Sequence, residues 1–162
     1  MSFDFVARVA PVTFSFVNQL LERVPIFAGL KESALIWLAD KAEQSVVPAG
    51  SIVVREGETG NRFYLIGSGS VRVCKYFAEP GEVVLAELKA LDFFGEMCIL
   101  ETLPRSATVQ ATAETTLFSL SSVTFYHFFK QMPDQYSILL LNIARDLSRR
   151  LRHLDEVFAA RH

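Results

Sequence analysis

Phe93-Phe94-Gly95-Glu96-Met97-Cys98-Ile99-Leu100-Glu101-Thr102-Leu103-Pro104-Arg105-Ser106-Ala107-Thr108 is the stretch on which the reading of this 162-residue chain turns. Near its start stand a glycine and a carboxylate; it then runs through a short apolar segment and closes on an arginine beside a hydroxyl. Gly95 permits a backbone conformation or a close approach that a side chain would block. Residues 97–102 are long enough for a helical turn or two, whose free N–H groups favour an anion. Arg105 offers a planar fork that can hold two phosphate oxygens, and Ser106 adds a neutral hydroxyl. Glu96 is acceptor-only, which suits a sugar hydroxyl and not the phosphate it would repel. Taken singly these residues have plainer readings: a Gly-Glu pair is commonly a turn, and Arg105 could simply pair with Glu96 or Glu101. Taken together they describe one loop able to receive a phosphate and a hydroxyl at once.

The sequence on either side places this loop late in a β structure. Ser51 to Val54, Arg62 to Ile66, Ser70 to Phe77, Glu82 to Leu88, Ala107 to Ala111 and Thr115 to Leu120 read as short strands. Turn formers such as Glu56-Gly57, Thr59-Gly60-Asn61, Gly67-Ser68-Gly69 and Pro80-Gly81 separate them. Many short strands with such turns predict an antiparallel β-barrel or jelly roll over about 46–120. Upstream, Phe16, Val17, Leu20 and Leu21 recur near a helical period over Val12 to Arg23, with Pro25 as the stop. A second helix is predicted over 31–44 on the stripe Ala34, Leu35, Leu38 and Ala42. Downstream, Ser121 or Ser122 can cap a helix to about Gln131, with Phe125, Phe128 and Phe129 facing inward. Pro133 suits the first turn of a last helix, predicted from Asp134 to Phe158. There Leu140, Ala144, Leu147, Leu151, Leu154 and Phe158 repeat as a heptad seam, or else as a stripe that covers the barrel. The class expected is α+β, with N-terminal helices, the barrel and two C-terminal helices.

Composition sets the outer limits. A formal net charge of −2 gives no general surface for nucleic acid. Apolar residues make up 51% of the chain and the mean hydropathy is +0.28, which suggests apolar surface covered by a partner or a second copy. Cys74 and Cys98 lack CxxC spacing and read as small core residues. No stretch reaches the roughly 18 apolar residues of a membrane span, and the first ten residues lack the layout of a signal peptide. A reducing, cytoplasmic setting is expected.

On these residues the chain resembles the cyclic nucleotide-binding domain family, seen in catabolite activators, kinase A regulatory subunits and nucleotide-gated channels. The family's phosphate-binding cassette has Phe-Gly-Glu, a short apolar helix, then Pro-Arg-Ser/Thr/Ala-Ala-Thr. Here these are Phe94-Gly95-Glu96 and Pro104-Arg105-Ser106-Ala107-Thr108, within a cassette spanning 94–108. The likeness runs from about Val24 to Phe158 and includes Pro25-Ile26-Phe27-Ala28-Gly29-Leu30, Pro48-Ala49-Gly50, Arg55-Glu56-Gly57 and Ile66-Gly67-Ser68-Gly69-Ser70-Val71. It implies a domain over 24–162 behind a helical extension at 1–23. It further implies that Glu96 binds the ribose 2′-hydroxyl and Arg105 the exocyclic phosphate oxygens. Gly95, Met97, Cys98 and Ala107 would support them, with Ser106 as a further phosphate contact. Threonine at that last position tends to favour cyclic GMP in the family, so Ser106 points to cyclic AMP, with cyclic GMP as the alternative. Val73, Ala86 and Leu88 are the expected wall for the base. The last helix would be the lid, with Arg149, Arg150 or His153 reaching the purine or else lying on a solvated face. Two family glycines are absent: Leu91 stands before the Asp-Phe-Phe-Gly-Glu run, and Thr102 or Leu103 before the Pro-Arg pair.

The function expected is a cyclic nucleotide sensor, not an enzyme, whose output is a protein surface at the last helix or the Phe-rich N-terminus. The chain ends at His162 with no helix-turn-helix reader, so a stand-alone domain is expected. The rivals are a scaffold of the same fold that has lost its ligand and a cupin-type metalloenzyme. The latter needs histidines on inner strands, whereas His127, His153 and His162 all lie outside the predicted strands. No metal is expected.

Overall fold

The computed structural model describes residues 21–160; the sequence readings over residues 1–20 lie outside them. Residues 21–23 are helical, and Pro25–Phe27 form a 3-10 turn. Then come α1 (Glu32–Lys41), β1 (Glu43–Val47), β2 (Ile52–Val54), β3 (Arg62–Ser68), β4 (Ser70–Lys75), β5 (Val83–Lys89) and β6 (Phe93–Phe94). The short helix α2 (Met97–Leu100) precedes β7 (Thr108–Ala111) and β8 (Thr115–Ser121), and the chain closes on α3 (Ser122–Gln131) and α4 (Pro133–Ala159). Two four-stranded sheets, ordered β1-β8-β3-β6 and β2-β7-β4-β5, make the roll, and their pairings are antiparallel. This is the α+β architecture expected.

Two apolar clusters divide the work. Between the sheets lie Val54, Ile66, Val71, Phe94, Val109 and Leu117. Between the first sheet and the helices lie Phe27, Phe63, Phe93, Phe125, Phe128, Leu139 and Ile143. Phe63 sits among three rings, edge-on to Phe27 at 6.0 Å and to Phe125 at 5.9 Å, and tilted against Phe93 at 5.7 Å. β6 joins the clusters. Consecutive strand residues point to opposite faces, so Phe93 enters one core and Phe94 the other, and both are buried. The cassette therefore starts from a residue pair fixed on both sides.

Three expectations are corrected. The helix predicted over 31–44 stops at Lys41, because Glu43 and Gln44 pair with Ser119 and Phe118 of β8. Sheet pairing overrides the helical preference of these two side chains, and the roll begins at Glu43, not 46. Phe129 is exposed, unlike its neighbours Phe125 and Phe128. On α4 the stripe from Leu140 to Phe158 does not cover the roll: the buried positions are Gln135, Leu139 and Ile143, while Leu151, Leu154 and Phe158 are open to solvent. The reason is that α4 outruns the roll: residues 148–160 are all exposed.

Its first half is firmly tied. Gln135 Oε1 accepts from the Lys31 N–H at 2.7 Å, and Asn142 Nδ2 donates to the Ile26 and Ala28 carbonyls at 3.0 and 2.8 Å. The departure at Leu91 has a cost, since its φ of +74° is the left-handed region where glycine is at ease. Thr102 and Leu103 show no such φ, so glycine is not required there. Ser121 caps α3, its hydroxyl accepting from the Thr124 N–H at 3.1 Å. Ser121→Ala is expected to cost about 1 kcal/mol, read as a lower urea midpoint with an unchanged slope.

Candidate functional site

The cassette, the second sheet and the far half of α4 enclose a cavity of about 410 Å³. Gly95, Glu96, Met97, Cys98, Arg105, Ser106 and Ala107 all border it, so the two ends of the quoted stretch meet in one space. Val73, Ala86 and Leu88 form part of its apolar wall. Val73 stands directly across from Ala86 on β5 and Val109 on β7, which is why strand alternation could select it. Of the three basic residues expected on the lid, Arg150 borders the cavity, and Arg149 and His153 do not. Arg149 lies instead at a separate shallow depression with Arg145, Ser148 and Arg152, 3.7 Å from Asp146.

Glu96 is the N-cap residue of α2 and only 6% exposed. A carboxylate sunk this far needs a partner, and α4 supplies it: Arg150 Nη1 donates to Glu96 Oε1 at 3.3 Å. The same guanidinium lies over the Phe93 ring at 5.2 Å, and its Nε is 2.8 Å from Asp146 Oδ2.

Arg105 is held differently. Its backbone is pinned on both sides, the N–H donating to Glu58 O and the carbonyl accepting from Gly57 N–H, each at 2.8 Å. Its Nη2 donates to the Arg62 carbonyl at 2.8 Å, and the guanidinium lies 5.9 Å over the Tyr64 ring, which itself stacks on Phe94. No carboxylate among the described residues pairs with it, so the alternative of an Arg105 link to Glu96 or Glu101 is not realised. A guanidinium fixed by neutral groups keeps its charge available to an anion.

Gly60 is the residue that sequence reading missed. A Cβ there would collide with Nε and Cζ of Arg105, and one at Gly95 would stand 2.8 Å from Arg105 Nη1 and 2.7 Å from the Arg62 carbonyl. The two glycines thus leave the slot into which the arginine folds. By sequence Gly60 is only a turn former, and nothing local to it hints at Arg105. Leu147, Leu151 and Leu154 also border the cavity; in the sequence their signal is that of a helix seam. Burial pushes the Cys98 thiol up to about 11, with Glu96 adding to the rise and Arg105 opposing it, so this side of the cavity carries a neutral thiol.

Among the described residues no group of His, Cys, Asp or Glu is arranged to hold a metal, and no helix is long and apolar enough to cross a membrane. The chain is 40% identical over 116 residues to a cyclic nucleotide-gated potassium channel of Rhizobium etli, covering 72% of the chain and 31% of the channel. It is 40% identical over 108 residues to the cAMP-dependent protein kinase regulatory subunit of Schizosaccharomyces pombe, covering 67% of the chain and 25% of that protein. The chain thus spans under a third of the length of these relatives. The regulatory domain of Toxoplasma gondii PKA, solved with cAMP, superposes with a TM-score of 0.72 at 26% identity, over 84% of this chain and 50% of that one. The family model described as cyclic nucleotide-binding domain matches residues 44–132. With these matches and this geometry, the chain belongs to the cyclic nucleotide-binding domain family.

Proposed function

We propose that this domain is a cyclic AMP sensor that answers ligand by rearranging α4, and that it binds without turning its ligand over. The observation that carries this reading is the meeting of a buried acceptor, Glu96, and an arginine free of acidic partners, Arg105, on one apolar-walled cavity. Glu96 takes the ribose 2′-hydroxyl. Arg105 and Ser106 take the cyclic phosphate, and the backbone from Gly95 to Cys98 together with Ala107 completes the cradle. Val73, Ala86 and Leu88 receive the purine. The serine at 106 favours adenine over guanine in this reading. The relatives named for cAMP, the kinase regulatory subunits and the Toxoplasma complex, support the same ligand. Both cysteines are free, in keeping with the cytoplasm as the proposed setting.

The signal is a population shift. Phosphate at Arg105 draws the cassette inward, and α4 closes its exposed leucines over the base. That movement alters the surface offered to a second copy or another protein. Calorimetry with cyclic AMP, cyclic GMP and 5′-AMP tests the ligand, with binding ranked in that order. Hydrogen exchange tests the signal: saturating cyclic AMP is expected to slow exchange across residues 121–158. Equal exchange with and without ligand in that span would rule the mechanism out.

A further inference from the structure

We propose that Arg150 is a positioning residue for Glu96, and that through it α4 senses the sugar of the ligand. This deepens the proposed cyclic nucleotide function and rests on it. Among the described residues, the Arg150–Glu96 contact is the only hydrogen bond or ion pair joining α4 to residues 93–108. Arg150 is not a loose surface charge that happens to swing near. Asp146, one turn earlier on α4, sits 2.8 Å from its Nε, and Phe93 of β6 lies under the guanidinium plane. An acid and a ring, one on each side of the gap, therefore aim the side chain at the cassette.

Arg150 engages Glu96 at Oε1, and Oε2 makes no hydrogen bond among the described residues. Since Glu96 borders the cavity, its second oxygen is left to accept from a donor inside. A ribose hydroxyl and Arg150 can thus hold the same carboxylate together, one from each side. Each fixes the orientation that the other requires. Coupling of this kind is reciprocal: if Arg150 helps the hydroxyl bind, the hydroxyl must help hold Arg150, and with it the far half of α4. A ligand without that hydroxyl fills the cavity but leaves the link unstrengthened.

The test is calorimetry of the whole chain, its Arg150→Gln variant and its Arg150→Lys variant, each with cyclic AMP and with 2′-deoxy cyclic AMP. The wild type is expected to prefer the ribonucleotide by about tenfold. Arg150→Gln should lose about tenfold for cyclic AMP and less than twofold for the deoxy analogue, so that the preference collapses. Arg150→Lys should recover part of it, because a charge without the planar fork restores only part of the contact. Hydrogen exchange over residues 147–159 should slow more with the ribonucleotide than with the deoxy analogue in the wild type, and equally in Arg150→Gln. An equal loss for both ligands in Arg150→Gln would mean that Arg150 touches the base or serves the fold, and would overturn the inference while leaving the sensor reading intact. A wild type that binds both ligands equally overturns it too. A wild type that binds neither overturns the sensor reading as well.

Discussion

Arg105→Ala is expected to lower the affinity for cyclic AMP by about 100-fold or more while the protein stays folded. Charged hydrogen bonds contribute about 1.5–3 kcal/mol each, and a planar fork can make two to a phosphate. Tenfold corresponds to about 1.4 kcal/mol, so losing both bonds accounts for a factor of that size. What the fold loses is small by comparison. Arg105 gives one hydrogen bond to the Arg62 carbonyl and a face contact with Tyr64, and its backbone bonds to Glu58 and Gly57 do not depend on the side chain. Calorimetry beside a urea titration separates the two effects. Unchanged affinity would refute the assignment of Arg105 to the phosphate.

Gly60→Ala is expected to lower the affinity by at least about tenfold with the arginine still present, because a methyl group blocks the slot its guanidinium occupies. The atoms it would meet belong to the flexible end of Arg105, so the arginine gives way and the backbone does not. Gly60 also lies outside the positive-φ set that holds Gly95. Alanine there is therefore expected to change stability by less than about 1 kcal/mol. Gly95→Ala should differ: its φ is +78° and the nearest atom is the Arg62 carbonyl, so strain adds about 1–2 kcal/mol of instability to the loss of binding. Binding and unfolding curves measured on all three variants give the contrast. A Gly60→Ala protein with wild-type affinity would show that Arg105 does not work from this slot.

The cassette was legible because its chemistry is local. Gly95, Glu96, Arg105 and Ser106 lie within one short stretch, and each residue type has few uses in such company. Strand alternation reached Val73, Ala86 and Leu88 for a similar reason, since the two-residue period fixes which face a side chain takes once a strand is recognised. What was hidden depended on distance in the chain. Gly60 looks like any turn glycine until Arg105 folds against it. Glu43 and Gln44 favour a helix until β8 claims them. On α4 two apolar stripes share Leu147, one through Leu139 and Ile143 and one through Leu151 and Leu154. Sequence alone does not say where the roll ends beneath them, so it leaves open whether the second stripe covers the roll or is a seam exposed for another surface.

The bonds from Gln135 and Asn142 give α4 a fulcrum. They fasten its first half to the N-terminal elements, while residues 151–159 are exposed along their length. At 1.5 Å of rise per residue that exposed segment is about 13 Å long. A rotation of about 10° near Arg150 would then carry the tip by roughly 2 Å, on the same 1.5 Å rise. That is enough to break or remake a packed contact with whatever meets Leu154 and Phe158. In the proposed mechanism, leverage more than large domain motion would carry the nucleotide's signal to the exposed end of α4.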